Sequence, residues 1–183
     1  MNRQPSARLS AWLIDLLCIS GWVAVLAVVG AALYTTGLTH DLSAGAGNAV
    51  AFLVLIVPVT VALAWFEAGS RAATVGKRAR RLRVVDAATQ VQIPFVRALL
   101  RNAVKVALPW ELAHTLAFSL FGTTAGVPLS GRLIVTTVAA YVLPTVYVVT
   151  LFVGRGRTPY DWAAHTIVIR RDEATSGEVR AAS

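Results

Sequence analysis

The sequence predicts an all-α membrane protein, built as a four-transmembrane-helix bundle with a small cytoplasmic β-hairpin between helices two and three. Apolar residues make up 56% of the 183 positions, and charged residues only 14%, against about 25% in a typical soluble domain. The chain is nevertheless basic, with a net charge of +8. A chain that is both apolar and basic is typical of a small membrane protein whose cations lie in its loops.

The first predicted span covers residues 9–34, which exceeds the ~20 residues that cross a hydrocarbon core. A cleaved signal peptide is the alternative, because Arg3 and Arg8 precede the apolar run. The run is longer than the ~7–15 apolar residues of a signal peptide, and it contains Asp15. These two features favour a retained first helix.

The second and fourth predicted spans cover residues 49–66 and 133–153. Each contains one internal proline, Pro58 in the second and Pro144 in the fourth. Prolines are tolerated in membrane helices, where neighbouring groups can satisfy the freed backbone carbonyl.

The third predicted span, residues 103–121, is mostly apolar but contains Lys105, Pro109, Glu111 and His114. Two alternatives remain open for it. Either the segment crosses, with Lys105 extending its ammonium to the cytoplasmic surface, or it enters the membrane and returns. A crossing gives four spans and places both termini on one side.

The distribution of cations favours four spans in the cell membrane with both termini cytoplasmic. In that topology the outer loops, residues 35–48 and 122–132, contain one of the 17 Lys and Arg residues, Arg132. The other sixteen lie on the cytoplasmic side, as the positive-inside rule requires. Three spans would move the arginines after residue 153 to the outside.

A change of sequence period between spans two and three predicts the hairpin. Residues 81–86 and 91–93 alternate in side-chain polarity and include β-branched residues. Residues 87–90 separate these two runs. From Phe95 the pattern becomes helical. Arg97, Arg101 and Lys105 are spaced by four and therefore form one basic stripe.

After span four, residues 158–161 are expected to begin a short helix, and residues 167–169 a strand. We assign residues 1–170 to a single transmembrane domain. Residues 171–183 form a polar tail, which we expect to be disordered.

Asp15 lies inside an apolar helix, where a charge costs ~2.5–3.5 kcal/mol on insertion scales. Counting residues from the predicted span ends places several polar residues at a similar depth, about 9–12 Å at 1.5 Å per residue. These residues predict a polar cluster inside the bundle, either an ion or proton site or a structural one: Asp15, Glu111, His114, Thr60 and Thr145.

Two further motifs carry charge. The basic run at residues 77–83 is a topology signal or a contact for anionic lipid headgroups, and nothing else in the sequence supports nucleic acid. Asp161 follows Thr158 with the spacing of a capping box, or it pairs with a cytoplasmic arginine. We expect Arg8, Arg101 and Asp161 to form a charge cluster at the cytoplasmic border.

No nucleophile–base arrangement and no metal-ligand spacing is evident in the sequence, so no catalytic activity, metal or cofactor is expected. The single cysteine, Cys18, excludes an intramolecular disulfide framework.

With these residues in view, the chain resembles the RDD family of bacterial membrane proteins. Residues 8–15, 74–86 and 157–168 resemble the family's first, middle and closing elements in their order and placement. The charges that carry the resemblance are Arg8, Asp15, Lys77, Arg101 and Asp161. The resemblance implies a helical membrane domain, and transport or cation–proton exchange has been proposed for the family.

We therefore expect transport of ions or small solutes, by cation/proton exchange, through the polar cluster around Asp15. The alternative is a membrane scaffold or assembly partner that transports nothing and presents a basic cytoplasmic face. Four short helices enclose little space, and assembly as a homo-oligomer would remove that objection to transport.

Overall fold

The computed structural model describes residues 4–121, 130–154 and 156–171. In these ranges the chain forms helices and two short strands, in the order α1 (Pro5–Thr35), α2 (Ala44–Ala51), α3 (Val57–Ala68), α4 (Val75–Ala79), β1 (Leu82–Asp86), α5 (Phe95–Asn102), α6 (Leu108–Phe121), α7 (Gly131–Phe152), α8 (Pro159–Ala163) and β2 (Thr166–Arg170). Two π-helical stretches, Phe52–Ile56 and Ala103–Ala107, join α2 to α3 and α5 to α6.

Among the described residues, three helices are long and apolar enough to cross a membrane: Pro5–Thr35, Ala44–Ala68 and Gly131–Phe152. They match predicted spans one, two and four. Large apolar side chains point outward from them, among them Leu17 at 73% and Val28 at 71% exposure. A continuous exposed apolar surface of this kind suits a lipid environment, which confirms the membrane class.

The third apolar segment is helical but differs from the other three. Helix α6 has 14 residues, about 21 Å at 1.5 Å per residue, whereas the hydrocarbon core is about 30 Å thick. It continues the helix that α5 begins, through the stretch Ala103–Ala107, and packs against α7. Within the described residues, a full crossing by this segment therefore uses the π-helical stretch as well as α6, together about 28 Å at the same rise per residue.

The predicted hairpin between residues 81–86 and 91–93 is wrong, because the first of these segments pairs with a different strand. Strand β1 pairs in antiparallel fashion with β2, from Leu82 opposite Arg170 to Asp86 opposite Thr166. The segment at residues 91–93 contributes one isolated bridge, Val85 with Gln92, in the described chain. The predicted strand at residues 167–169 is confirmed within β2.

Packing explains the change of partner. Val85 forms a buried apolar cluster with Ile167 and Ile169 of β2. The side chain of Asp86 accepts the backbone N–H groups of Ala88 and Thr89 at 2.8 Å, which folds the following residues into a tight turn. Alternation alone identified β1 as a strand, but the apolar face that it pairs with lies far away in the sequence.

Helix α4 packs very closely against α1. A Cβ atom placed on Gly76 would lie 1.9 Å from the backbone oxygen of Ala11. This oxygen belongs to a regular helix and has little freedom to move. Glycine is therefore required at this position for the approach of the two backbones.

We expect Gly76→Ala to destabilise the fold by about 3 kcal/mol, the upper end of the range for overpacking, because backbone rather than a flexible side chain blocks the methyl group. Thermal unfolding in detergent measures the effect. Gly21→Ala on α1 is the matched control, because its added Cβ meets nothing within 4 Å. Equal melting temperatures for the two variants would contradict the close packing of α4.

Candidate functional site

A buried carboxylate at the end of α3, Glu67, binds three donors. The Nζ atom of Lys77 donates to Oε1 at 2.5 Å. The guanidinium of Arg101 donates from Nη1 to both carboxylate oxygens, at 2.6 and 2.7 Å. The amide of Asn102 donates to Oε2 at 2.9 Å. Glu67 is fully buried, so these donors replace water around it.

A second buried carboxylate, Asp161 on α8, is joined to the first through Arg101. The Nε and Nη2 atoms of Arg101 donate to Oδ1 of Asp161 at 3.1 and 2.8 Å. Arg8 donates to Oδ2 at 2.5 Å, and the hydroxyl of Thr158 donates to the same oxygen at 2.8 Å. The predicted cluster of Arg8, Arg101 and Asp161 is confirmed, and Asp161 also forms the capping box.

We call these five ionised side chains the charge network: Arg8, Glu67, Lys77, Arg101 and Asp161. It joins α1, α3, α4, α5 and α8. Burial alone would raise the pKa of Asp161, but the guanidinium groups of Arg101 and Arg8 outweigh it and hold this pKa below its usual range. Burial lowers the pKa of the Lys77 ammonium to about 8, although the Glu67 carboxylate opposes the shift.

We expect Asp161→Asn to lower stability at neutral pH by about 3 kcal/mol, because breaking a buried ion pair leaves Arg8 without its carboxylate. In the parent the folded-state pKa of Asp161 lies below the ordinary value of 3.8. The pair therefore contributes fully above that pH, and its contribution is lost as the pH falls below it.

The gap in melting temperature between parent and variant should therefore narrow progressively as the pH falls below about 4. Asp41→Asn, an exposed acid at the opposite end of the bundle, is the control and should melt like the parent throughout. A gap between parent and Asp161→Asn that stays constant down to low pH would contradict this role for the charge.

Asp15 lies apart from the charge network, in contact with the start of α4. Its Oδ2 accepts the hydroxyl of Thr74 and its Oδ1 accepts the backbone N–H of Gly76, both at 2.7 Å. The carboxylate satisfies an otherwise unpaired N–H at a helix start and faces the positive end of the helix dipole. In this arrangement Asp15 fastens α4 to α1.

The predicted cluster around Asp15 is not formed. Glu111 contacts Asn48 instead, which lies about 6 Å along the helix from its start at Ala44. Thr60 is buried, and its hydroxyl has no hydrogen-bond partner in the described chain. Thr145 donates within its own exposed helix. The predicted depths were counted from span ends that differ from the observed helix ends. The sequence also did not indicate that α4 contacts Asp15.

Glu111 belongs to a second polar group, between α2 and α6. The amide of Asn48 donates to Oε1 of Glu111 at 2.7 Å, and the hydroxyl of Thr115 donates to the same oxygen at 3.3 Å. The ring of His114 lies one turn along α6 and faces Trp110 at 6.3 Å between centroids. We call Asn48, Glu111, His114 and Thr115 the Glu111 site.

Three buried polar atoms of the Glu111 site have no hydrogen-bond partner in the described ranges: Oε2 of Glu111, Oδ1 of Asn48 and Nδ1 of His114. The two oxygens can accept a hydrogen bond or a cation, and Nδ1 can do so when the imidazole proton is on Nε2. Unpartnered buried polar atoms are uncommon in native proteins and call for a physical explanation. The site therefore has unused capacity to bind a proton or a cation.

Sequence reasoning missed Glu67, Asn48 and Thr115. Glu67 is an acid at the end of an apolar span, and this position in the sequence is typical of an ordinary surface charge. Asn48 precedes the apolar run of span two, and Thr115 follows Glu111 by four residues, the spacing of neighbours on one helix face. That spacing was the available signal for the pair on α6.

A cavity of about 320 Å³ lies between α1, α6 and α7 and reaches the charge network. Apolar side chains of the three helices form most of its wall. At one end it is lined by four cations and one carboxylate: Arg8, Lys77, Arg101, Lys105 and Asp15. We call it the cationic cavity.

Apolar helices with an outward apolar surface, and ionised groups buried at one end of the bundle, define a helical membrane protein. Residues 3–165 match the RDD family, so the chain belongs to this family. Comparison with curated proteins and with solved structures found no match to this sequence. Of the charges that carry the family resemblance, Asp15 alone lies outside the charge network in the described structure.

Proposed function

We propose that the protein exchanges a monovalent cation for a proton across the membrane at the Glu111 site. The observation that carries the proposal is the group of three unpartnered buried atoms on Glu111, Asn48 and His114. A carboxyl group in a membrane bundle is costly to retain. Within the described residues it pairs with neutral donors, Asn48 and Thr115, and not with a cation.

The chemistry of the site suits two exclusive occupants. With Glu111 ionised, Oε2 and the amide oxygen of Asn48 offer hard oxygen ligands, which alkali and other hard cations prefer. With Glu111 protonated, Oε2 becomes a donor and no longer attracts a cation. His114 provides a second acceptor for a proton one turn away. A single carboxylate among neutral ligands favours one positive charge.

Asp15, the centre of the sequence-based hypothesis, is less suited to this role. Both of its oxygens already accept hydrogen bonds, from Thr74 and Gly76. The adjoining cavity is lined by four basic side chains, which would repel an entering cation. We therefore assign Asp15 to anchoring α4 and place exchange at Glu111.

The proposal includes four crossings of the cell membrane, with residues 103–121 as the third and both termini in the cytoplasm. The charge network and the paired strands then lie at the cytoplasmic border. Fusions of a reporter at Ala44, Thr89 and the C terminus test this topology. We expect Ala44 outside and the other two inside, and a C-terminal reporter active only outside would contradict it.

Flux measured with purified protein in proteoliposomes tests the proposed exchange. An imposed sodium or potassium gradient should change the internal pH, and an imposed pH gradient should drive cation movement. Absence of flux under sodium, potassium and proton gradients would contradict exchange. The non-transporting scaffold, as a single chain or a homo-oligomer, would then be the better account.

A further inference from the structure

The charges around the cationic cavity do not balance. Within the described ranges four cations and three carboxylates meet there: Arg8, Lys77, Arg101, Lys105, Asp15, Glu67 and Asp161. Arg8, Lys77 and Arg101 each have a carboxylate partner. One positive charge is therefore in surplus beside an apolar cavity.

Of these four cations, Lys105 is the one without a carboxylate partner in the described ranges. Its ammonium has no hydrogen bond or ion pair within the described ranges, and its side chain lines the cavity. It lies one turn beyond Arg101, about 6 Å further from the charge network along the helix. Lys105 is half-buried, and its ammonium gains a charge-assisted hydrogen bond when an anion from outside the protein binds beside it.

The cavity is also open to the surroundings of the apolar helices. Trp12 of α1 and Val148 of α7 both line it, yet they are 46% and 45% exposed. The gap between these two helices therefore connects the cationic end to the lipid-facing surface. Its walls beyond Lys105 are apolar, with Leu16 on one side and Pro144 on the other.

We propose that the cationic cavity binds one anionic phospholipid from the bilayer, with the phosphate against Lys105 and an acyl chain between α1 and α7. The volume of about 320 Å³ is in the range of ligand pockets. The ammonium of Lys105 binds the negatively charged headgroup, and the apolar cleft binds the acyl chain. The proposal rests on different residues from the Glu111 site and holds whether or not exchange occurs.

This site differs from the basic run at residues 77–83, which the sequence suggested as a contact for lipid headgroups. Lys77 of that run is buried against Glu67, and Arg80 and Arg81 are exposed at the surface. Exposed cations attract any anionic membrane through a screened surface potential. Lys105 instead offers a single defined position with a chain-binding cleft.

Native mass spectrometry of the detergent-purified protein, titrated with phosphatidylglycerol, tests the proposal. We expect the parent to retain one phosphatidylglycerol per chain and to bind the zwitterionic phosphatidylcholine at least tenfold more weakly. Lys105→Met keeps the length of the side chain and should reduce phosphatidylglycerol binding at least tenfold. Arg80→Gln removes an exposed cation and is the control, with binding like the parent.

Lys105→Met breaks no ion pair, so it should fold, and its melting temperature without added lipid checks this. A second variant, Ala140→Phe, narrows the apolar cleft and should weaken binding with every cation in place. Equal binding of both lipids, or unchanged binding by Lys105→Met, would overturn the proposal. Full competition by glycerol 3-phosphate, which has no acyl chain, would also overturn it and indicate a site for free anions.

Discussion

Arg101→Gln is expected to destabilise the protein by about 3–5 kcal/mol, the range for removing one partner of a buried ion pair. Arg101 is 1% exposed and bridges two carboxylates, Glu67 and Asp161, through its Nη1 and Nη2 atoms. Without it, Asp161 keeps Arg8 and Glu67 keeps Lys77, but the elements α3, α5 and α8 lose their common cation. Thermal unfolding in detergent measures the loss.

Arg101→Lys should rescue little of this stability, because one ammonium cannot reproduce a planar fork that bonds two carboxylates at once. Arg80→Gln is the control, since Arg80 is exposed and surface charges contribute ~0–1 kcal/mol. A melting temperature for Arg101→Gln within the range of the control would show that the charge network does not hold these elements together.

Glu111→Gln is expected to abolish cation-dependent proton flux, with a loss of at least tenfold, while the protein still folds. Glutamine retains an oxygen that accepts from Asn48 but can neither ionise nor take up a proton. The proteoliposome assay measures flux per inserted protein, and Asp41→Asn serves as the control for loss of an acid elsewhere. Flux like that of the parent would exclude Glu111 as the exchanging group.

Asp15→Asn should show the opposite pattern. Loss of the carboxylate removes an acceptor for Thr74 or Gly76, so the melting temperature should fall. The flux per folded protein should remain like that of the parent. A folded Asp15→Asn variant without flux would return the exchange to Asp15, as the sequence first suggested.

The two polar regions lie at opposite ends of one helix. Asn48 and Glu67 belong to the helix Ala44–Ala68 and are nineteen residues apart, roughly 28 Å at 1.5 Å per residue. The charge network at one end ties helices to the short strands. The Glu111 site at the other end has neutral partners and unused acceptors. Under the proposed exchange, the helix therefore has a structural end and an exchanging end.

The membrane helices could be predicted from the sequence because length and hydropathy are local properties. The pairing of Arg8 with Asp161 could also be predicted, because the two charges have opposite signs and the topology places both at one border. The partner of β1 could not, since alternation specifies a strand and not the distant face that Val85 contacts.

The prediction of a polar cluster around Asp15 was wrong for a related reason. Depth along a helix constrains one coordinate, whereas contact also depends on which face each residue occupies and on what folds against it. Asp15 contacts α4, a short helix at the start of the basic run, where the sequence predicted no helix. Glu111 contacts Asn48, and a single asparagine forms no sequence pattern that predicts this contact.

Proton release on cation binding tests the proposed exchange most directly. Sodium or potassium added to the unbuffered, detergent-purified protein should release protons in the pH range in which cation and proton compete for Glu111, because a ligand must be deprotonated to bind a cation. We expect release from the parent and from Asp15→Asn, and none from Glu111→Gln. Release from a folded Glu111→Gln variant equal to that of the parent would contradict exchange at the Glu111 site.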